Sequence, residues 1–272
     1  MNFVQSEWNQ FCSSIDSSKC FTVSELPYLS SSCRWIAIKH DVETNVKRAH
    51  DIALIEAKYG IRSTFFVQAD LLDKNLPQLL AISDLGHEVT YHYDVMDANN
   101  GDIQKATNEF LEIVTKFEKA GFAVNSVCPH GNPLMRRNGW SSNKDFFRDS
   151  EVSKKFSRIF DLVVQGKEKI MREYAYVSDA GYEFKIIGDI ANNDIVISED
   201  TSIRSIDDMF NLVNMHGAII ISTHPHRWTS SILQANLIKA RFVLIRKIAI
   251  FIAKSNFLKK IISKFYYLAK KI

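Results

Sequence analysis

AKYGIRSTFFVQ, residues 57–68, is the stretch that decides the fold. A polar, helix-like ending halts at Gly60, and the chain then enters a short apolar run. Glycine takes the left-handed conformation that closes a helix without the penalty a Cβ brings. The pattern recurs in SDLGHEVTYH (83–92), EKAGFAVNSVCPH (118–130) and VNMHGAIIISTH (213–224), so Gly60, Gly86, Gly121 and Gly217 read as helix stops. The runs that follow are short and mostly apolar, as expected of strands covered on both faces. The preceding segments, at about 46–59, 75–85, 103–120 and 205–216, carry apolar residues at helical spacing. Ile103, Ala106, Phe110, Ile113, Val114 and Phe117, for example, share one stripe. Strands alternating with helices predict a parallel sheet with crossover helices, in an α/β barrel or a doubly wound layer. The stretch 136–200 is less regular: FDLVVQ (160–165) and EYAYVSDAG (173–181) read as strands, and the rest as an active-site loop or insertion.

The 272 residues, 46% hydrophobic and 24% charged, exclude disordered and fibrous classes, and 10 Gly and 5 Pro favour a single domain without long linkers. Cys12, Cys20, Cys33 and Cys128 form no C-x-x-C pair and are too sparse for a disulfide scaffold, so they read as reduced thiols. The first residues carry an early Glu and no apolar run, which predicts a cytoplasmic protein. Charge is uneven. Ten Lys and Arg and no acid fall in residues 237–272, which leaves residues 1–236 with seven more acidic than basic side chains. An acidic body thus ends in a basic tail.

Parallel α/β folds place their chemistry at the carboxyl ends of the strands. At those positions stand Lys39, His40, Asp41 and Glu43; His92, Tyr93 and Asp94; His130 and Asn132; Asp179; and His224, His226, Arg227 and Trp228. Six of the eight histidines lie in or beside these segments. Imidazole with carboxylate and no thiol pair suits a divalent metal such as zinc, which acidifies water to a pKa of about 7. A nearby Asp to take the water proton and a His to protonate a leaving group complete the parts for hydrolysis of an amide or ester.

The ordered set KHDVE (39–43), GHEVTYHYD (86–94), CPHGNP (128–133), SDAG (178–181) and THPHRW (223–228) resembles the polysaccharide deacetylases, carbohydrate esterase family 4, across about residues 34–250. The resemblance implies an α/β fold, a distorted (β/α) barrel with fewer than eight strands. It also implies a divalent metal, Zn2+ by preference, and removal of N- or O-linked acetyl groups from sugars in bacterial surface polysaccharide biosynthesis. By that similarity Asp41 is the general base and Glu43 a metal ligand, although a second register makes Asp41 itself the ligand. His92 matches the first ligand histidine of the family's second motif, and the second falls on Met96. His130 then fills the vacancy, or else belongs to plain turn chemistry in Pro-His-Gly-Asn. His224 matches the general acid. Asn132, Asp179, Arg227 and Trp228 are expected at the substrate, with Asp179 loosely matching the acidic residue that orients the catalytic groups. Trp228 would supply a flat wall for a sugar ring, and Arg227 would either pair within the fold or bind an anionic group.

The bland reading is structural for His87, at a strand start, and for His50 and His216, within helical segments. Cys128 reads as a small core residue. The expected organisation is an N-terminal extension packing on the barrel (1–33), the barrel (34–250) and a basic amphipathic tail (251–272). Residues 236–250 are expected to pack on the barrel with Lys outward, whereas 255–272 either do the same or lie on an anionic membrane surface, which would put a lipid-linked acetylated saccharide in reach at the inner membrane face. Nucleic acid is not expected, because the body is acidic and carries no recognition motif. Two other readings accompany the deacetylase: a hydrolase of another C–N bond, and a non-catalytic carbohydrate-binding or scaffold protein that lost a ligand at position 96.

Overall fold

The computed structural model describes residues 1–132, 135, 137–192 and 202–253. Helix α1 (Gln5–Ser14) precedes β1 (Trp35–Val42), α2 (Val46–Lys58), β2 (Thr64–Val67), the single turn α3 (Ala69–Leu72), α4 (Leu76–Asp84) and β3 (Glu88–Tyr93). Next come α5 (Val95–Ala98), α6 (Ile103–Lys119) and β4 (Ser126–Pro129). The short elements α7 (Asp145–Arg148), α8 (Ser150–Lys155), β5 (Phe160–Asp161) and α9 (Gly166–Lys169) follow. The chain closes with β6 (Ala175–Ser178), β7 (Phe184–Ile186), β8 (Ser202–Ile203), α10 (Ile206–Met215), β9 (Ala218–Thr223) and α11 (Ile232–Ala253).

Local chemistry explains the boundaries. The Asn45 side chain accepts the Arg48 amide at the start of α2, and Asp102 accepts that of Lys105 at the start of α6. Ser205 and Asp208 form a reciprocal capping box on α10. Gly60, Gly86 and Gly121 stand at positive φ after their helices. Gly217 does not, because α10 ends through an extended His216 and needs no left-handed residue.

The strands form one sheet in the order β5-β4-β3-β2-β1-β9-β6-β7-β8. The first seven of these pair in parallel, short of the eight of a closed barrel, and curl into a half-barrel. Strands β7 and β8 extend the sheet in antiparallel fashion. They have no counterpart in the sequence reading of 136–200, where only Phe160–Asp161 and Ala175–Ser178 of the two expected strands pair.

Strand β1 is buried along its whole length and alternates between two faces. Ile36 and Ile38 pack with Phe3, Trp8, Phe11 and residues of α10, so the segment before β1 shares the core of the sheet. Trp35 and Ala37 pack on the other side with Phe66, Cys128 and Ile220, and Lys39 and Asp41 continue that face toward the carboxyl end. Helix α11 runs through residue 253, across the boundary expected at 250, and residues 254–272 of the tail lie outside the described residues.

His40 turns away from the site. Its Nε2 lies 2.8 Å from Glu56 Oε1 on α2, which also accepts from Trp8 Nε1 at 3.0 Å, while Ser63 Oγ donates to Oε2 at 2.6 Å. His87 joins this group through Ser63 and the Ala53 carbonyl, as its structural reading requires. Burial opposes ionisation of Glu56, but His40 and the other partners more than offset it and hold the carboxyl below its ordinary 4.5. A folded value below the unfolded one stabilises above pH 4.5 and is lost as pH falls below it. Glu56→Ala is therefore expected to cost about 3–5 kcal/mol at pH 7. Urea unfolding should show that difference narrowing toward pH 4.

Candidate metal and acid–base site

The carboxyl ends of β3, β4, β1, β9 and β6 line a cavity of about 690 Å³. Asp41 and Glu43 arrive from β1, His92 from β3, His130 from the residue after β4, and His224 and His226 from the turn after β9. Three side chains converge within it. Glu43 Oε1 lies 3.3 Å from His130 Nε2 and 3.9 Å from His92 Nε2, and the ligand atoms of the three fall within 4.8 Å of one another.

The donor set suits a metal in tautomer as well as in type. His92 Nδ1 lies 2.9 Å from the Cys128 carbonyl oxygen, which can only accept, so Nδ1 carries a proton and Nε2 is the nitrogen turned toward Glu43. That arrangement, one ring nitrogen anchored to a carbonyl and the other free to ligate, is the usual outer support of a metal histidine. Burial alone would raise the Glu43 carboxyl, but the His130 hydrogen bond, with His224 and His92, holds it well below its ordinary value.

Asp41, His92 and Cys128 form a second group with ligand spacing. Its chemistry is poorer. Lys39, 1% exposed, reaches Asp41 Oδ1 at 2.7 Å and Oδ2 at 2.8 Å, and donates to Cys128 Sγ at 3.1 Å. Burial pushes the Cys128 thiol up to about 12, so it stays protonated, as a core residue does. Asp41 is thus held through both oxygens by the Lys39 ammonium. Burial opposes its ionisation too, yet Lys39, His92 and His224 hold it below its ordinary value. Lys39 has a sequence signal: two residues before Asp41 in a strand places both on one face.

His224 faces the same space. Its Nε2 lies 3.7 Å from Glu43 Oε1 and 4.0 Å from Asp41 Oδ2, and its Nδ1 lies 2.6 Å from Asp179 Oδ1. Asp179 is fully buried and also accepts from Thr223 Oγ1 at 2.8 Å and from the His224 amide at 2.9 Å. Arg227 Nη1 closes the pair at 2.7 Å, so of its two readings the internal ion pair is the one formed. Burial would raise the Asp179 carboxyl, but Arg227 and His224 hold it far below its ordinary value. Asp179 stands behind His224 rather than in the cavity lining. His226, ring to ring 5.6 Å from His224, also lines the cavity, and burial pushes it down to about 4, so it is neutral near pH 7.

Two expectations are corrected and one is placed. Trp228 does not face the cavity: it is fully buried among Phe3, Trp8 and Phe184 and donates Nε1 to Thr223 Oγ1 at 2.7 Å. Truncation to Ala is expected to cost about 3–5 kcal/mol of stability through the cavity left behind, seen in denaturant unfolding, with no saccharide-binding contact removed. Of the six histidines in or beside the strand-exit segments, His40 joins His87, already read as structural, in the Glu56 cluster. Asn132 lines the cavity, and its carbonyl accepts from Arg137 Nη2 at 3.0 Å. Met96, where the resemblance leads one to expect a second histidine, is 4% exposed and packs in the apolar core around α6. His130 occupies the space beside His92 instead, 5.3 Å ring to ring.

No family model matches the chain, and no curated protein matches it. Solved structures similar to it are carbohydrate esterases of the CE4 family, the family that the motifs resemble. A CE4 family pseudoenzyme from Bacillus anthracis is 14% identical with a TM-score of 0.46, over 80% of this chain and 63% of that one. A family 4 carbohydrate esterase from Streptomyces lividans, solved with acetate, is 17% identical with a TM-score of 0.44, over 78% and 89%. A Streptococcus mutans CE4 esterase is 12% identical with a TM-score of 0.46, over 85% and 89%. The chain spans under two thirds of the length of the Bacillus anthracis protein.

Proposed function

We propose that the chain is a metal-dependent hydrolase that removes an N- or O-linked acetyl group from a sugar, as a step of surface polysaccharide synthesis. The observation that supports it is the convergence of Glu43 with His92 and His130 beside two differently charged helpers, the Lys39-bound Asp41 and the Asp179-backed His224. Glu43, His92 and His130 would hold zinc or a similar divalent ion, which supplies Lewis acidity toward an acyl oxygen and toward water.

The protein side of the chemistry follows from the charges. Asp41, kept ionised by Lys39, takes a proton from the attacking water. Lys39 also fixes the direction of that carboxylate by binding both oxygens. His224, protonated at Nε2, gives a proton to the departing amine or alcohol. Asp179 keeps the imidazole oriented and stabilises its charge, and the Arg227 pair keeps Asp179 ionised. One proton is accepted and one delivered, so the site returns to its starting charge once the two exchange protons with solvent.

The test is acetate release from a panel of N- and O-acetylated saccharides. A chelator should abolish it and added zinc restore it. Stoichiometric metal uptake with no acetate released from any member would overturn the reading in favour of a binding protein.

A further inference from the structure

Helix α11 is apolar on two opposite faces. Ala235, Ile238 and Phe242 turn toward the body, where Ile238 and Phe242 pack on the core and the Phe242 ring lies tilted against that of Tyr182, 4.8 Å between centroids. On the other side Leu233, Leu237, Ala240 and Leu244 recur at four- and three-residue spacing, and the three leucines are 72%, 63% and 60% exposed. A soluble surface helix presents a polar outer face, and contiguous exposed apolar area marks an interaction site.

The charge of the sequence that carries this face points to what covers it. From residue 237 to the end the chain has ten Lys and Arg and no Asp or Glu. An apolar stripe on a helix within a purely basic segment is complementary to an anionic lipid surface, with leucines among the acyl chains and cations at the headgroups. No helix among the described residues is long and apolar enough to cross a membrane, so the expected posture is in the plane of the interface. Phe242, on the inner face of the same helix, lines the cavity that holds Glu43, His92 and His224. Docking through the outer face thus sets one wall of that cavity one helix diameter, roughly 10 Å, from the bilayer.

We propose that the outer face of α11 is a docking surface for an anionic bilayer and that the cavity takes an acetylated saccharide presented there on a lipid carrier. The second half rests on the deacetylase reading; the first does not.

The test is flotation of the full chain with vesicles of phosphatidylcholine, with and without phosphatidylglycerol, for the wild type and a Leu233→Gln, Leu237→Gln, Leu244→Gln variant. Neutral substitutions leave the net charge unchanged, and circular dichroism and metal content confirm an intact fold. The wild type should float with the anionic vesicles only, and the variant should lose at least about tenfold in partitioning while hydrolysing a soluble acetylated sugar as before. Equal partitioning of wild type and variant would overturn the docking surface. So would a wild-type dimer that the variant dissolves without vesicle binding, since the face would then join two copies. Flotation without acetate release would leave the surface standing and remove the deacetylase reading, and acetate release without flotation would do the reverse.

Discussion

His224→Ala is expected to lower kcat for acetate release about 10²–10⁴-fold, the usual worth of a positioned general acid, while zinc content and KM change little. The imidazole offers Nε2 to the same space as Glu43 and Asp41, yet its other nitrogen is spent on Asp179 rather than on a metal. Asp179→Asn should reproduce most of that loss, because an amide at Oδ1 can present N–H to Nδ1 and so favour the wrong tautomer. Steady-state kinetics with metal analysis of each variant checks both. A variant that loses its metal with its activity would make His224 a ligand instead of an acid.

The second large effect concerns position 130. Loss of a residue that only supports a ligand costs 10–100-fold in metal affinity, so His130→Ala is expected to cost roughly 100-fold or more. The reason is geometric. Position 96, where the motif resemblance leads one to expect histidine, is occupied by a methionine that packs inward around α6. The imidazole beside His92 comes from the next strand over, β4, aligned with β3 through His92 opposite Cys128. Met96→His should therefore not rescue His130→Ala in a zinc titration. It would bury an unpaired imidazole in an apolar core and destabilise the fold.

Much of the scaffold was legible, because it is written in local chemistry. The glycine stops at 60, 86 and 121 and the apolar stripe from Ile103 to Phe117 need only nearest neighbours to be read. The rows of polar residues at strand exits were legible for the same reason, and His92, His130, Asp41, Glu43 and His224 do meet there. What stayed hidden depends on contacts distant in sequence. Trp228 looks like a sugar platform until Phe3 and Trp8, from the far end of the chain, are seen to cover it. His40 looks like part of the site until alternation along β1 turns it toward Glu56 on α2. The partner of Asp41, Lys39, reaches both carboxylate oxygens, which is a matter of side-chain direction in three dimensions. Strands β7 and β8 are three and two residues long, too short to carry a periodicity.

Whether Glu43, His92 and His130 form a metal centre is decided by anomalous diffraction from crystals grown with zinc. One peak is expected, within about 2.0–2.2 Å of His92 Nε2, His130 Nε2 and a Glu43 oxygen, with the Lys39–Asp41 pair intact beside it. No peak at these residues under excess zinc, or a peak ligated by Asp41 and Cys128 with Lys39 displaced, would contradict it.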